Sequence, residues 1–165
     1  MYWYLVHTKL KQEKYAFQNL QRQEHLCYLP MLPVEKRHPE RLEVADEPLF
    51  PRYLFIQPGQ SDSARSWALI RSTRGVNRLV RFGSEPARID DDLINFLRMR
   101  EASFHLKPER LLNPGESVRL AEGAFAGIDR IYQMAEGEHR VIVLIELLSE
   151  PVAMRVLPTG LRKTS

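Results

Sequence analysis

The side chains best suited to chemistry in this chain are five histidines, one cysteine, the run Asp90-Asp91-Asp92 and the glycine-bracketed stretch Gly123-Ala124-Phe125-Ala126-Gly127. None of them completes a catalytic set. The histidines are scattered, and no two stand at metal-ligand spacing. Cys27 has no second cysteine to pair with, which excludes a disulfide within this sequence and a thiolate metal cluster. Its setting, Leu26-Cys27-Tyr28-Leu29, reads as a small buried hydrophobe. Three consecutive aspartates suit a helix start, where carboxylates meet the positive end of the dipole, better than a metal site. The glycine stretch lacks the lysine and the spacing of a phosphate-binding loop. The sequence therefore predicts no enzyme and no cofactor, and the chemistry that remains is recognition.

Two stretches could carry recognition. Ile70-Arg71-Ser72-Thr73-Arg74-Gly75-Val76 is a basic loop closing on a glycine, suited to phosphates and unpaired bases. Residues 47–56, Glu-Pro-Leu-Phe-Pro-Arg-Tyr-Leu-Phe-Ile, combine two backbone-stiffening prolines with a strand that begins at Arg52. With period 2, Tyr53 and Phe55 share one face and Leu54 and Ile56 the other. The aliphatic face suits a core beneath helices. The aromatic face has two readings, ordinary core or an apolar docking surface for another protein.

The elements around these stretches follow from pattern. Tyr2–His7 reads as a strand, followed by a helix with Thr8 as N-cap and good helix formers through Glu24. Leu26–Val34 is extended, with Pro30 and Pro33 marking an edge or bent strand. Glu35–Asp46 reads as a hairpin arm with a solvated tip at Arg37-His38-Pro39-Glu40-Arg41. Ser61–Ala68 is a short helix anchored by Trp67. Val76–Phe82 alternates Val76, Arg78, Val80 and Phe82 against Asn77, Leu79 and Arg81, and Gly83-Ser84-Glu85-Pro86 is a turn. Asp90–Met99 is a helix with Leu93, Ile94 and Leu97 on its apolar face. The sum is an α+β fold, an antiparallel sheet flanked by helices. Ala102–Asn113 loses all periodicity and reads as a linker, which divides the chain into residues 1–101, a linker 102–113 and a small C-terminal segment 114–165.

Composition agrees with a globular protein, with 44% hydrophobic and 27% charged residues. Residues 1–83 carry a balance of +5 and residues 84–165 a balance of −2, so nucleic acid would meet the N-terminal part. No apolar run reaches membrane-spanning length and no signal-peptide layout opens the chain, so a cytoplasmic location without membrane contact is expected.

Three pieces stand in order: Glu47-Pro48-Leu49-Phe50-Pro51-Arg52-Tyr53-Leu54-Phe55; Thr73-Arg74-Gly75-Val76 leading to Val80-Arg81-Phe82-Gly83; and Pro114-Gly115-Glu116-Ser117-Val118 with Glu122-Gly123-Ala124-Phe125-Ala126-Gly127. Together they resemble the NusG family of bacterial transcription elongation factors over nearly the whole chain. Trp3-Tyr4-Leu5, Lys9, Pro30-Met31, Glu35-Lys36 and Glu122-Gly123-Ala124-Phe125 look most like its specialised antitermination branch, RfaH.

The resemblance implies a monomeric factor with two parts. One is an N-terminal domain that binds the clamp helices of bacterial RNA polymerase; the other is a C-terminal KOW domain that recruits a ribosomal protein or termination factor. It places the polymerase-docking surface at His7, Phe50, Tyr53, Phe55, Phe82, Ile94 and Leu97, and contact with the non-template DNA strand at Lys9, Thr73 and Arg74. Arg71 joins the second set on charge and proximity. The chain departs from the branch pattern at His7, where Tyr is usual, and at Tyr15 and Asn19, which replace Arg and His. It departs again at Ser66-Trp67-Ala68, which replaces His-Thr-Thr. A different class, a ribosome-associated or RNA-binding KOW module, would suit the basic half equally, but has no use for a docking motif around Phe50 and Tyr53.

The C-terminal segment argues with itself. Val118, Leu120, Phe125, Ile131–Met134, Val141–Leu148 and Val152–Leu157 spell a five-stranded β-barrel, with Val141-Ile-Val-Leu-Ile145 strongly β-favouring. The same residues can be drawn as helices over Ala121–Met134 and Glu138–Ser149, with Ile128, Ile131, Val143, Leu144, Leu147 and Leu148 inward and Pro151 ending the second. In the RfaH branch such a hairpin covers the polymerase-binding face, and Glu47 and Arg140 occupy the positions of an interdomain ion pair there. The autoinhibitory hairpin is favoured because the aromatic face would otherwise lie open to water.

Overall fold

The computed structural model describes residues 2–59, 64–106 and 124–149. Its centre is β1 (Trp3–Thr8), a run of aromatic and branched residues buried on both faces. The other strands are β2 (Leu26–Tyr28), β3 (Met31–His38), β4 (Arg41–Pro48), β5 (Tyr53–Gln57), β6 (Val76–Leu79), β7 (Arg81–Phe82), β8 (Glu85–Pro86) and β9 (Arg88–Ile89). The main sheet has the order β2-β5-β1-β6, with β9 also paired to β1, and every pairing in it is antiparallel. β3 and β4 form a separate two-stranded arm, in register from Met31↔Pro48 to His38↔Arg41, so Pro39-Glu40 is its two-residue tip. The hairpin arm expected over Glu35–Asp46 is present but longer at both ends, its tip is shorter than Arg37–Arg41, and the extended run Leu26–Val34 is divided between β2 and β3. The helices are α1 (Glu13–Arg22), α2 (Ala64–Arg71), α3 (Asp91–Leu106), α4 (Ala124–Gln133) and α5 (Gly137–Leu148).

The two faces of the sheet bury two clusters, and the period-2 reading of β5 assigns them correctly. Leu54 and Ile56 join Tyr4, Val6, Ala16, Leu20 and Ile70 beneath α1 and α2, with Trp67 edge-on to Tyr4 at a centroid distance of 4.8 Å. Phe55, with Tyr53 at its edge, faces a larger cluster with Leu5, Leu93, Ile94 and Leu97, covered by α4 and α5.

Three local expectations are corrected. Thr8 is not the helix N-cap: its N–H bonds Arg52 O (2.8 Å) and its hydroxyl bonds Lys9 O (3.0 Å), which keeps it in the sheet. Lys11 then turns the chain with φ 60°, and α1 starts at Glu13 behind Gln12. The simple alternation over Val76–Phe82 also fails. Thr8 pairs with Val76 but His7 with Arg78, so Asn77 is the extra residue of a bulge, and Val76 and Leu79 face the same cluster. Finally, the β-barrel alternative is corrected in favour of the helical one: Ile131–Gln133 and Val141–Leu148 are helical. Burial of their 3.6-period apolar stripe against the sheet domain outweighs β-propensity. The outer barrel runs, Val118–Leu120 and Val152–Leu157, and Pro151 lie outside the described residues, as do residues 107–113 of the linker reading. Residues 102–106 continue α3.

Candidate functional site

The strand that opens the site, β5, is entered through a turn. Tyr53 N–H returns to Phe50 O (3.0 Å), with Pro51 and Arg52 between them. Arg52 has φ 71°, the left-handed value that the third position of a type II turn requires. A non-glycine residue there costs about 1–3 kcal/mol and must be held. Arg52 is held three times: its N–H bonds Glu13 Oε2 (2.9 Å), its Nε bonds Thr8 O (3.2 Å), and its carbonyl accepts from Thr8 N–H (2.8 Å). The turn sets Phe50 under the sheet, edge-on to Phe55 at 6.1 Å.

Six of the seven residues expected on the docking surface meet in one apolar cluster. Phe50, Phe55, Ile94 and Leu97 are fully buried, and Tyr53 and Phe82 are half-buried against them. Their cover is Ile128, Ile131, Tyr132, Val143, Leu144 and Leu148 of α4 and α5. His7 stands at the rim, its ring 4.9 Å from that of Tyr53. Partial burial, with Arg52 and Arg78 nearby, lowers the His7 pKa below its ordinary value. The neutral ring leaves Nδ1 as an acceptor for Asn77 Nδ2 at 2.8 Å.

The basic loop lies on the opposite side of β1. Gly75 has φ 92°, and a Cβ there would come within 2.9 Å of Ala16 N, so only glycine lets the loop close on α1. Lys9 N–H bonds Gly75 O (2.8 Å) and Asn19 Nδ2 bonds Arg74 O (3.0 Å), which brings Lys9 and Arg74 to one surface. Lys9, Arg71 and Arg74 are exposed. Thr73 differs from them: it is buried, its hydroxyl donating to Leu69 O and accepting from Gln23 Nε2, both at 2.8 Å. It shapes the loop and leaves the outward contacts to its neighbours.

Polar contacts tie the helical hairpin to the sheet domain. Arg140, 3% exposed, donates Nε to Leu49 O (2.7 Å) and Nη1 to Met134 O (2.8 Å) and Ala135 O (3.1 Å). Burial lowers its pKa, while Glu47 lies close enough to favour its charged form. The sequence reading missed a second group. Arg100 of α3 donates Nη1 to Asp129 Oδ1 of α4, its guanidinium lies 4.8 Å from the Tyr132 ring, and Tyr132 OH donates to Leu97 O (3.3 Å). The available signal was position: Arg100 continues the Leu93, Ile94, Leu97 stripe, and Asp129 sits between Ile128 and Ile131. A charge on an otherwise apolar stripe needs a partner. Asp91 and Asp92 occupy the first turn of α3, as expected of a helix start, and Asp91 also accepts from Trp3 Nε1 (2.6 Å). Among the described residues no group of three His, Cys, Asp or Glu could hold a metal ion, and no helix is long and apolar enough to cross a membrane.

The sheet is antiparallel with helices on both faces, and it carries an aromatic strand under a helical cover with a basic loop beside it. The family model described as transcription termination factor nusG matches residues 1–98, and the chain belongs to that family, NusG. The transcription termination/antitermination protein NusG of Thermus thermophilus is 30% identical over 144 residues, covering 75% of this chain and 77% of that protein. Its counterpart in Pseudomonas aeruginosa is 26% identical over 168 residues, covering 92% and 93%. A solved structure, "Domain interaction in Thermotoga maritima NusG", aligns with a TM-score of 0.46 at 19% identity over 61% of this chain and 57% of that one.

Proposed function

We propose that this protein is a transcription elongation and antitermination factor of the RfaH kind, held at rest in an autoinhibited form. Residues 1–101 are the polymerase-binding domain, docking on the clamp helices through Phe50, Tyr53, Phe55, Phe82, Ile94 and Leu97 with His7 at the rim. Lys9, Arg71 and Arg74 meet the non-template strand, positioned by Thr73. Residues 114–165 are the regulatory domain, separated from the end of α3 by 107–113, and on release recruit a ribosomal protein or termination factor. The reading places the protein in the cytoplasm as a monomer without cofactor.

The observation that carries this reading is the cover over the aromatic face. Ile128, Ile131, Val143, Leu144 and Leu148 of two helices seal the surface that the family resemblance assigns to a helical partner. A groove that accepts one pair of amphipathic helices suits another. Docked on the clamp, the domain acts by population shift: a ligand that binds the closed clamp better than the open one raises its occupancy, and the enzyme pauses less.

A tagged copy retained on beads in a bacterial lysate tests the assignment. Polymerase subunits should be recovered, more from an Arg140→Ala variant than from wild type. Recovery of ribosomal RNA in their place would replace the reading with that of an RNA-binding module, which the exposed Lys9, Arg71 and Arg74 also favour.

A further inference from the structure

We propose that Arg100 and Asp129 form a charge-matched latch that selects the seating of the helical hairpin on the sheet domain; this rests on the autoinhibited reading above. The pair joins α3 to α4. Arg100 is 4% and Asp129 7% exposed, so both charges are out of water. Arg100 is clamped from two sides, by the Asp129 carboxylate and by the face of Tyr132 three residues along the same helix. Tyr132 in turn bonds the Leu97 carbonyl, one turn back from Arg100 on α3. Two residues of each helix thus interlock, and the axial position and rotation of α4 over Ile94 and Leu97 are defined together.

The pair is poorly suited to adding bulk stability. Among the described residues Arg100 Nε and Asp129 Oδ2 are buried without hydrogen-bond partners, and burial holds the Asp129 carboxyl above its usual range despite the adjacent guanidinium. A half-satisfied buried ion pair gains little over apolar residues of the same size, yet losing one partner strands the other charge in the interface. Its effect is therefore on choice. A hairpin shifted by one turn would set position 125, 126, 132 or 133 against Arg100, and none of these is acidic, so that seating is penalised.

The test is amide hydrogen exchange on the full chain. Protection of residues 128–133 and 140–148 reads hairpin seating, and protection of Leu5 and Phe55 reads the integrity of the sheet. Arg100→Met or Asp129→Leu alone should raise the open-to-seated ratio by about 100-fold or more, with Leu5 and Phe55 unchanged. The double variant should recover wild-type protection or exceed it, an outcome that loss of packing alone would not produce. Single variants that protect the hairpin as wild type does would overturn the latch while leaving the autoinhibited reading intact. A double variant as open as the singles would overturn it equally. A wild-type hairpin with no protection at all would overturn both.

Discussion

Replacing Arg140 with alanine should uncover the docking face, and the structure bounds how far. Of the three side-chain hydrogen bonds Arg140 makes among the described residues, the one to Leu49 O crosses from the helical hairpin to the sheet domain; those to Met134 O and Ala135 O lie within the hairpin connection. A hydrogen bond to a charged group contributes roughly 1.5–3 kcal/mol. Loss of the Glu47 attraction adds to this, and relief of the burial that lowers the Arg140 pKa subtracts from it. A shift of about 1.5–3 kcal/mol is a rise of roughly 10- to 150-fold in the open-to-seated ratio. Hydrogen exchange of α5 amides should accelerate by that factor, and the far-ultraviolet signal at 222 nm should weaken if the freed segment abandons its helices. Arg140→Lys, which keeps the charge near Glu47 but loses the planar fork, should fall between the two. Exchange within twofold of wild type in Arg140→Ala would show that the hairpin is held by apolar burial alone.

Four further outcomes are expected. In an Arg140→Ala background, Tyr53→Ala with Phe82→Ala should weaken polymerase binding by at least about 30-fold, the range of hot-spot aromatics, with the circular dichroism of the sheet domain retained; unchanged affinity would remove these residues from the docking surface. Lys9→Ala with Arg74→Ala should reduce the salt slope of single-stranded DNA binding by about 1.4, at about 0.7 per phosphate, and an unchanged slope would make the loop plain solvated surface. Burial pushes the Cys27 thiol up to about 12, so at pH 8 iodoacetamide should label it roughly a thousandfold more slowly than an exposed thiol until the protein unfolds. Because that value lies above the unfolded one, the thiol's contribution to stability is full below pH 9 and is lost as pH rises towards 12. Gly75→Ala should cost at least about 1–3 kcal/mol in urea unfolding, from the positive φ and the close approach to Ala16; a neutral result would mean that the loop can move off α1.

Where the fold was legible in the sequence, a single physical pattern governed the element. β5 is one case, since four alternating residues face two different cores. The β3–β4 arm is another, set by polar residues about Pro39-Glu40. Legibility failed where a distant contact overrode the local signal. Thr8 has the side chain of an N-cap, but its backbone is committed to Arg52, forty-four residues away, so the helix start moved to Glu13. The alternation after Val76 is broken by a bulge that only the pairing with β1 imposes. In α5 the run Val141–Ile145 has β-propensity throughout, and only the apolar surface beneath it makes the helical spacing of Val143, Leu144 and Leu148 the better solution. The candidate docking residues were named on resemblance, and no periodicity would have joined Phe50 to Ile94. Arg100 and Asp129 were visible as charges on apolar stripes, but nothing in the sequence says that one answers the other.

Equilibrium binding to purified bacterial RNA polymerase decides whether the helical hairpin covers a polymerase-docking face at rest. Wild type, Arg140→Ala and Arg140→Ala with Tyr53→Ala and Phe82→Ala should be titrated side by side. Wild type should bind weakly, Arg140→Ala should bind tighter by about 10-fold or more, and removal of the two aromatics should abolish that gain. Equal affinity in all three would contradict this, since neither the cover nor the face beneath it would then bear on the polymerase.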